Sequence, residues 1–261
     1  MTAFLTLVRK EALDIVRDLR LSIFALVYTV LTGIITFFFL RSILGDQAAG
    51  QAPIGALIIL LPLGILNMLF SLILTGTFVL DTVGRERDEG MLGLLLTTRA
   101  APGTLLLAKL AMGLMVYVAL SLFALAIASV MGAALGGVVP QAILLSFLGP
   151  LLVLFVFLLG SGLLLSVVLP SARVAVAVGI AVHLVLFIIG ATPIFALVTS
   201  SSPALTEAVK WTPFAVASEG QTQITDGGPV PWAHYAATLA LGLGCLAAGW
   251  IVFRRKEVAQ G

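Results

Sequence analysis

Residues 141–169 read QAILLSFLGPLLVLFVFLLGSGLLLSVVL and contain no charged side chain. A helix needs about 20 predominantly apolar residues to cross the hydrocarbon core of a bilayer. This run meets that length and is continuous rather than alternating. Because backbone groups in lipid must pair within their own segment, the run predicts a transmembrane helix and not a barrel strand.

Comparable apolar runs lie on both sides of this one. They cover residues 21–40, 54–80, 105–131, 174–198 and 232–253. The sequence therefore predicts an all-α membrane protein with six spans, a transmembrane domain over residues 21–253. The composition agrees: 61% of the residues are apolar and 10% charged, against roughly 45–50% and about 25% in soluble domains. Disordered and collagen-like classes are excluded, and the single cysteine, Cys245, excludes a disulfide scaffold.

The basic residues predict the orientation. An even number of spans places both termini on one side, and cytoplasmic segments carry the excess of Lys and Arg. With both termini inside, only Arg41 and Lys210 of the 14 basic residues lie outside. Residues 254–261 then form a cytoplasmic tail. The net charge of +2 is too small to suggest nucleic acid as a partner.

Residues 1–20 form an amphipathic pattern. Their apolar side chains recur at helical spacing, at Leu5, Val8, Ala12, Ile15, Val16 and Leu19. This predicts an interfacial helix lying flat on the cytoplasmic side of the bilayer. The pattern leaves open whether the helix only anchors the orientation or also relays motion.

Two connections between spans carry further patterns. The cytoplasmic connection, residues 81–104, has charges of both signs followed by an apolar stretch too short to span, which favours a partner-docking role over a solvated charge cluster. In the external segment, residues 199–231, Ser202 and Pro203 have the pattern of an N-cap and first helical residue. Residues 212–214 predict a turn that ends this short helix. An interfacial linker and an external gate both remain open for this segment.

Several kinds of chemistry are missing from the sequence. Each lysine is preceded by a residue other than glycine, so no Walker A loop exists in it. The spans carry no acid, Lys or Arg near their centres, which disfavours an ion-coupled transporter. Two histidines and one cysteine are too few and too scattered for a zinc site. The candidate substrate pathway consists of polar residues within the spans, Asn67, Ser71, Thr75 and His183; such residues more often bond helix to helix.

An intramembrane serine protease is the enzyme alternative. Ser161 lies in one predicted span and His183 in the next. A rhomboid-like enzyme would also need glycine where Leu159 stands and a histidine near Asn67. The sequence therefore disfavours hydrolysis. In the last span, Ala240, Gly244 and Ala248 have the small-xxx-small spacing of close helix packing, within the chain or in a dimer.

Two charged motifs carry a resemblance to a known family. The first is Lys10-Glu11 followed by Arg17-Asp18 in the amphipathic segment. The second reads, in order, Arg85-Glu86-Arg87-Asp88-Glu89-Gly90, Leu94-Leu95-Leu96-Thr97-Thr98, Pro102 and Lys109. With six spans around them, these motifs resemble the permease subunits of type-2 ABC exporters. Arg99 departs from the family pattern, in which many members carry proline, and this bears on the subfamily.

The resemblance implies an assembly of two permeases, identical or homologous, with two ATPase subunits. ATP and magnesium would bind the ATPase, and this chain would bind no cofactor. The coupling region would comprise Arg85, Glu86, Arg87, Asp88, Glu89, Gly90, Leu94 and Leu95, and the connecting helix would use Lys10, Glu11, Arg17 and Asp18. The chain would be a multi-pass protein of a prokaryotic plasma membrane that moves a hydrophobic or amphiphilic substrate outward. A membrane scaffold or assembly factor that recruits a cytosolic partner is the alternative.

Overall fold

The computed structural model describes residues 2–17, 19–48, 60–88, 102–134, 148–191, 202–226 and 228–258. Every regular element in these ranges is helical, which confirms the all-α prediction. The elements are α1 (Thr2–Arg17), α2 (Leu19–Ala48), α3 (Leu60–Leu74), a π-helix (Thr75–Leu80), α4 (Asp81–Asp88), α5 (Pro102–Ala134), α6 (Leu148–Val168), α7 (Ala172–Ala191), α8 (Pro203–Lys210), α9 (Pro213–Asp226) and α10 (Trp232–Val258).

Within the described part of the chain, six stretches are long and apolar enough to cross a membrane. They are Leu21–Phe38, Leu63–Glu86, Leu106–Val130, Leu148–Val168, Ala172–Ala191 and Trp232–Arg255. The predicted number of six spans is thus confirmed, and the chain is a multi-pass membrane protein. Residues 54–59, 141–147 and 192–198 of the predicted spans lie outside the described residues. The second span is composite, because it runs through α3, the π-helix and α4.

The second and fourth spans are the most buried of the six. Helix α10 packs along α6 in the most extensive helix pair of the described structure. Glycines make this approach possible, since a Cβ added to Gly160 would clash with the carbonyl oxygen of Gly242. On the other side of α6, the Phe155 ring stacks on Tyr117 of α5 at a centroid distance of 3.8 Å. Helix α6 therefore forms the centre of the bundle.

The described residues of the predicted external segment contain one helix more than the sequence predicted. Helix α8 begins as predicted, with Ser202 at the N-cap and Pro203 as its first residue. Thr212 and Pro213 do end it, but they also begin α9, which was missed. Helix α9 enters the bundle, where the buried Phe214 meets Phe187 of α7 edge-on at 5.5 Å. The predicted turn is therefore also the start of a helix that packs within the bundle.

Helix α1, the predicted interfacial helix, has a buried polar residue that its apolar pattern did not indicate. Leu5 of α1 is exposed, as expected of a side chain that meets lipid, while Val8 is partly buried. Glu11 is buried against the bundle. Because an ionised carboxylate is rarely buried without a partner, the surroundings of Glu11 define the first candidate site.

Candidate functional site

Four charged side chains meet where α1, α4 and α5 come together. We call Lys10, Glu11, Glu86 and Lys109 the ionic cluster. The Nζ atom of Lys109 donates to Glu86 Oε1 at 2.9 Å and to Glu11 Oε1 at 3.1 Å. Lys10 completes the set, since its Nζ atom lies 3.7 Å from Glu11 Oε1 and 3.9 Å from Glu86 Oε1. Two positive and two negative charges leave the cluster neutral.

The centre of the ionic cluster is largely removed from solvent. The side chain of Lys109 is 8% exposed and that of Glu86 is 7% exposed. Desolvating an ion costs several kcal/mol, and removing one partner of a buried pair leaves the other uncompensated. Each of the three buried charges, Glu11, Glu86 and Lys109, is therefore required by the others, and they fix the three helices relative to one another.

A second contact lies one turn earlier in the second span, where the π-helix gives way to α4. The Ser166 hydroxyl of α6 donates to the carbonyl oxygen of Leu80 at 2.9 Å and accepts the backbone N–H of Gly84 at 3.3 Å. These two backbone groups are the ones that pair in an uninterrupted α-helix, four residues apart. A serine of the fourth span therefore contacts both groups of one step in the backbone ladder of the second.

The end of α4 is also bound to the start of α7. Asp88 Oδ2 accepts the backbone N–H of Ala172 at 2.9 Å, and the Ser171 hydroxyl accepts the N–H of Val174 at 3.4 Å. Both oxygens thus accept hydrogen bonds from backbone N–H groups in the first turn of α7, which have no partner within the helix. The helix dipole also favours negative charge at this end. The helices approach so closely that a Cβ on Gly84 would lie 2.7 Å from the Cα atom of Ala172.

The described coupling residues have different surroundings. Arg85 is exposed, whereas Glu86 is turned inward to Lys109, and Asp88 contacts α7. Glu86 can therefore influence a bound partner only through the helices that it holds. The side chain of Arg87 and the residues Glu89, Gly90, Leu94 and Leu95 lie outside what the structure describes.

The four residues predicted for the interfacial helix also have different surroundings. Lys10 and Glu11 belong to the ionic cluster. Arg17 is exposed at the end of α1, and Asp18 lies outside the described residues. Lys109 was noted in the sequence only as part of the motif, yet it is the centre of the cluster. A lysine just inside an apolar span, with a Glu near the end of the preceding span, was the available signal.

The candidate pathway residues of the second span form hydrogen bonds between and within helices. Asn67 Nδ2 donates to the hydroxyl of Ser121 in α5 at 3.3 Å. The hydroxyls of Ser71 and Thr75 donate to carbonyl oxygens one turn earlier, at 2.6 and 2.8 Å. All three pathway residues are buried, so in this conformation their polar atoms serve helix packing.

His183 and Ser161 do come together, as the enzyme alternative required. His183 Nε2 lies 2.7 Å from Ser161 Oγ. The Ser161 hydroxyl, however, donates to the carbonyl oxygen of Phe157 in its own helix at 2.8 Å. Which of the two groups donates in the Ser161–His183 contact depends on the histidine tautomer, and the Phe157 carbonyl competes for the serine proton that a histidine base would have to take. The pair joins α6 to α7 in this geometry.

The comparisons with protein families and with curated proteins found no relative of this chain. No protein-family model matches the chain, and no curated protein gives a significant match.

Proposed function

We propose that this chain is the transmembrane permease subunit of an ATP-driven exporter whose ATPase is a separate polypeptide docking on the predicted cytoplasmic end. The observation that carries this proposal is the ionic cluster. It joins an interfacial helix, the end of the second span and the start of the third at the root of the charged connection.

The geometry suits a segment through which force is transmitted. Residues 89–101 connect α4 to α5, and both ends of this connection are fixed: Glu86 is bound to Lys109, and Asp88 to the start of α7. A partner that displaces the connection therefore also moves the packed helices at its two ends. Packed helices respond to such a load by shifting as units, which is the kind of change that opens and closes a transport pathway.

The partner in this proposal is an ATPase because the sequence motifs resemble those of type-2 ABC permeases and include no nucleotide-binding loop. Two ATPase subunits and a second permease complete the assembly. The substrate is hydrophobic or amphiphilic, since the described spans bury uncharged polar groups in their interior and place the buried charges at one end. A scaffold that recruits a cytosolic protein through the same connection is the competing function.

The test compares charge reversals at two exposed arginines. Arg85 lies in the predicted coupling region, whereas Arg41 lies near the C-terminal end of α2. Each variant of the full-length chain is purified separately. The source is membranes of cells that also express a Walker A ATPase encoded beside its gene. We expect Arg85→Glu to reduce ATPase copurification on the order of tenfold, the effect of losing one charged contact at an interface, and Arg41→Glu to leave it unchanged.

A further variant, Leu95→Asp, tests the apolar part of the connection and should also reduce copurification. Equal recovery of a Walker A ATPase by the parent chain and by both the Arg85 and Leu95 variants would refute the coupling region. Recovery of a cytosolic partner without ATPase activity would favour the scaffold.

A further inference from the structure

A second polar cluster lies at the opposite end of the bundle, where α9 meets the first turn of α10. Glu219 is its centre. Gln223 Nε2 donates to Glu219 Oε1 at 3.3 Å, and His234 Nδ1 lies 3.8 Å from Glu219 Oε2. Tyr235 packs against the same turn of α9, so closely that a Cβ added to Gly220 would clash with the tyrosine oxygen. We call Glu219, Gln223, His234 and Tyr235 the acceptor cluster.

Three polar atoms of the acceptor cluster are buried without a hydrogen-bond partner among the described residues. They are Gln223 Oε1, His234 Nδ1 and the hydroxyl oxygen of Tyr235. The Tyr235 side chain is buried, with 7% of the residue exposed. An unpaired buried polar group is destabilising, so several of them in one place indicate a missing partner.

The chemistry of these atoms indicates what the partner is. Gln223 Oε1 can only accept, the Tyr235 oxygen can accept, and Glu219 is a carboxylate. In the described structure no Lys or Arg forms an ion pair with Glu219, and Lys210, the nearest lysine in sequence, pairs with Glu207. His234 is the basic side chain that the structure places at this carboxylate, and its Nδ1 atom carries at most one N–H, which cannot also bond both oxygen acceptors. A positively charged donor with more than one N–H would satisfy the carboxylate and these acceptors together. A primary ammonium, with three N–H groups, matches the carboxylate and two oxygen acceptors.

The location suits a ligand that approaches from the membrane surface. Glu219 is 33% exposed, so its carboxylate can be reached while the acceptors lie deeper. Trp211 meets the His234 ring edge-on at 4.3 Å and is half exposed. Aromatic rings at this depth are typical of the bilayer interface and can also face a cation.

From this arrangement we propose that the acceptor cluster is a binding site for a protonated primary amine, supplied by an ethanolamine lipid headgroup or by a soluble amine. The ammonium pairs with Glu219 and donates to Gln223 Oε1 and the Tyr235 oxygen. A choline headgroup has the same charge but no N–H, so it cannot make the last two bonds. The site does not depend on the proposed ATPase function.

The experiment is native mass spectrometry of the purified full-length chain with phosphatidylethanolamine or phosphatidylcholine of identical acyl chains. We expect the ethanolamine lipid to be retained more strongly, on the order of tenfold, as two charge-assisted hydrogen bonds imply. Glu219→Gln should lower its retention to the level of the choline lipid. The matched control is Glu207→Gln, the same change at an exposed acid of α8, which should alter nothing.

Tyr235→Phe provides a milder variant and should give an intermediate loss, with folding checked by helical circular dichroism. Displacement of the bound lipid by free ethanolamine would support the amine site and assign it to soluble amines, whereas resistance to displacement would support the lipid headgroup. Equal retention of the two lipids by the parent chain, or unchanged retention by Glu219→Gln, would overturn the proposal.

Discussion

Lys109 and Glu86 are joined by a 2.9 Å hydrogen bond across the connection between the second and third spans. Because both side chains are buried, the bond replaces hydration that neither charge retains. It fixes the end of α4 to the start of α5, and through Glu11 it also fixes the interfacial helix. The helices at the root of the connection therefore behave as one unit.

Lys109→Met should destabilise the protein by about 3–5 kcal/mol, because it leaves Glu11 and Glu86 close together without their shared cation. Reversible unfolding in detergent micelles measures this loss. Lys210→Met is the matched control. Lys210 pairs with Glu207 on the surface, and exposed pairs contribute about 0–1 kcal/mol. Equal effects of the two substitutions would contradict the burial argument.

A charge swap distinguishes the attraction between Glu86 and Lys109 from the effect of their surroundings on stability. Glu86→Lys alone places three cations in the ionic cluster and should abolish stable folding or lower stability as severely as Lys109→Met. The double variant Glu86→Lys with Lys109→Glu restores neutrality and should recover part of the loss. A double-mutant cycle on unfolding free energies gives the coupling, expected to be about 1–3 kcal/mol. Additive effects would show that the two residues do not interact.

Ser166→Ala should remove one partner each from the carbonyl of Leu80 and the N–H of Gly84, at a cost of about 0.5–1.5 kcal/mol. Amide hydrogen exchange at Gly84 should accelerate, since the N–H loses the acceptor that Ser166 provides. The control is Ser129→Ala, because the Ser129 hydroxyl bonds the carbonyl of Leu125 in its own helix. If exchange at Gly84 stays as slow in Ser166→Ala as in the parent, the Ser166 contact does not hold the second span.

Two glycines on helices α6 and α10 should respond oppositely to the same substitution. Gly160→Ala introduces a methyl group against the backbone of Gly242 and should cost about 1–3 kcal/mol. A Cβ on Gly244 meets nothing within 4 Å, so Gly244→Ala should be neutral or stabilise by up to about 1 kcal/mol through helix propensity. Thermal unfolding of the two variants compares them directly. A loss at Gly244 would indicate that another chain covers this face.

Hydropathy was sufficient to predict the six spans, because each is set by one continuous apolar run. The start of α8 was predictable for a different reason: Ser202 and Pro203 satisfy a purely local capping rule. Thr212 and Pro213 form the same kind of pair at the start of α9. They were interpreted only as a turn because the following residues are too polar for a span, while the helix gains its stability by packing against other spans.

The contacts of the site could not be predicted from local patterns. Glu11 and Lys109 are 98 residues apart, and their pairing depends on how α1 and α5 meet in space. The contact at the end of the π-helix could not be predicted from local sequence either, because Ser166 comes from another span. Sequence motifs thus identified most of the charged residues, and only the structure showed that Glu86 points inward while Arg85 points outward.

The most direct test of the central proposal is purification of the unaltered full-length chain from its native membranes, followed by identification of the bound proteins and an ATP hydrolysis assay. The account predicts a Walker A ATPase in equal amount to this chain, with magnesium-dependent hydrolysis. Purification of the chain without any nucleotide-binding protein, under conditions in which its helical structure is intact, would contradict it.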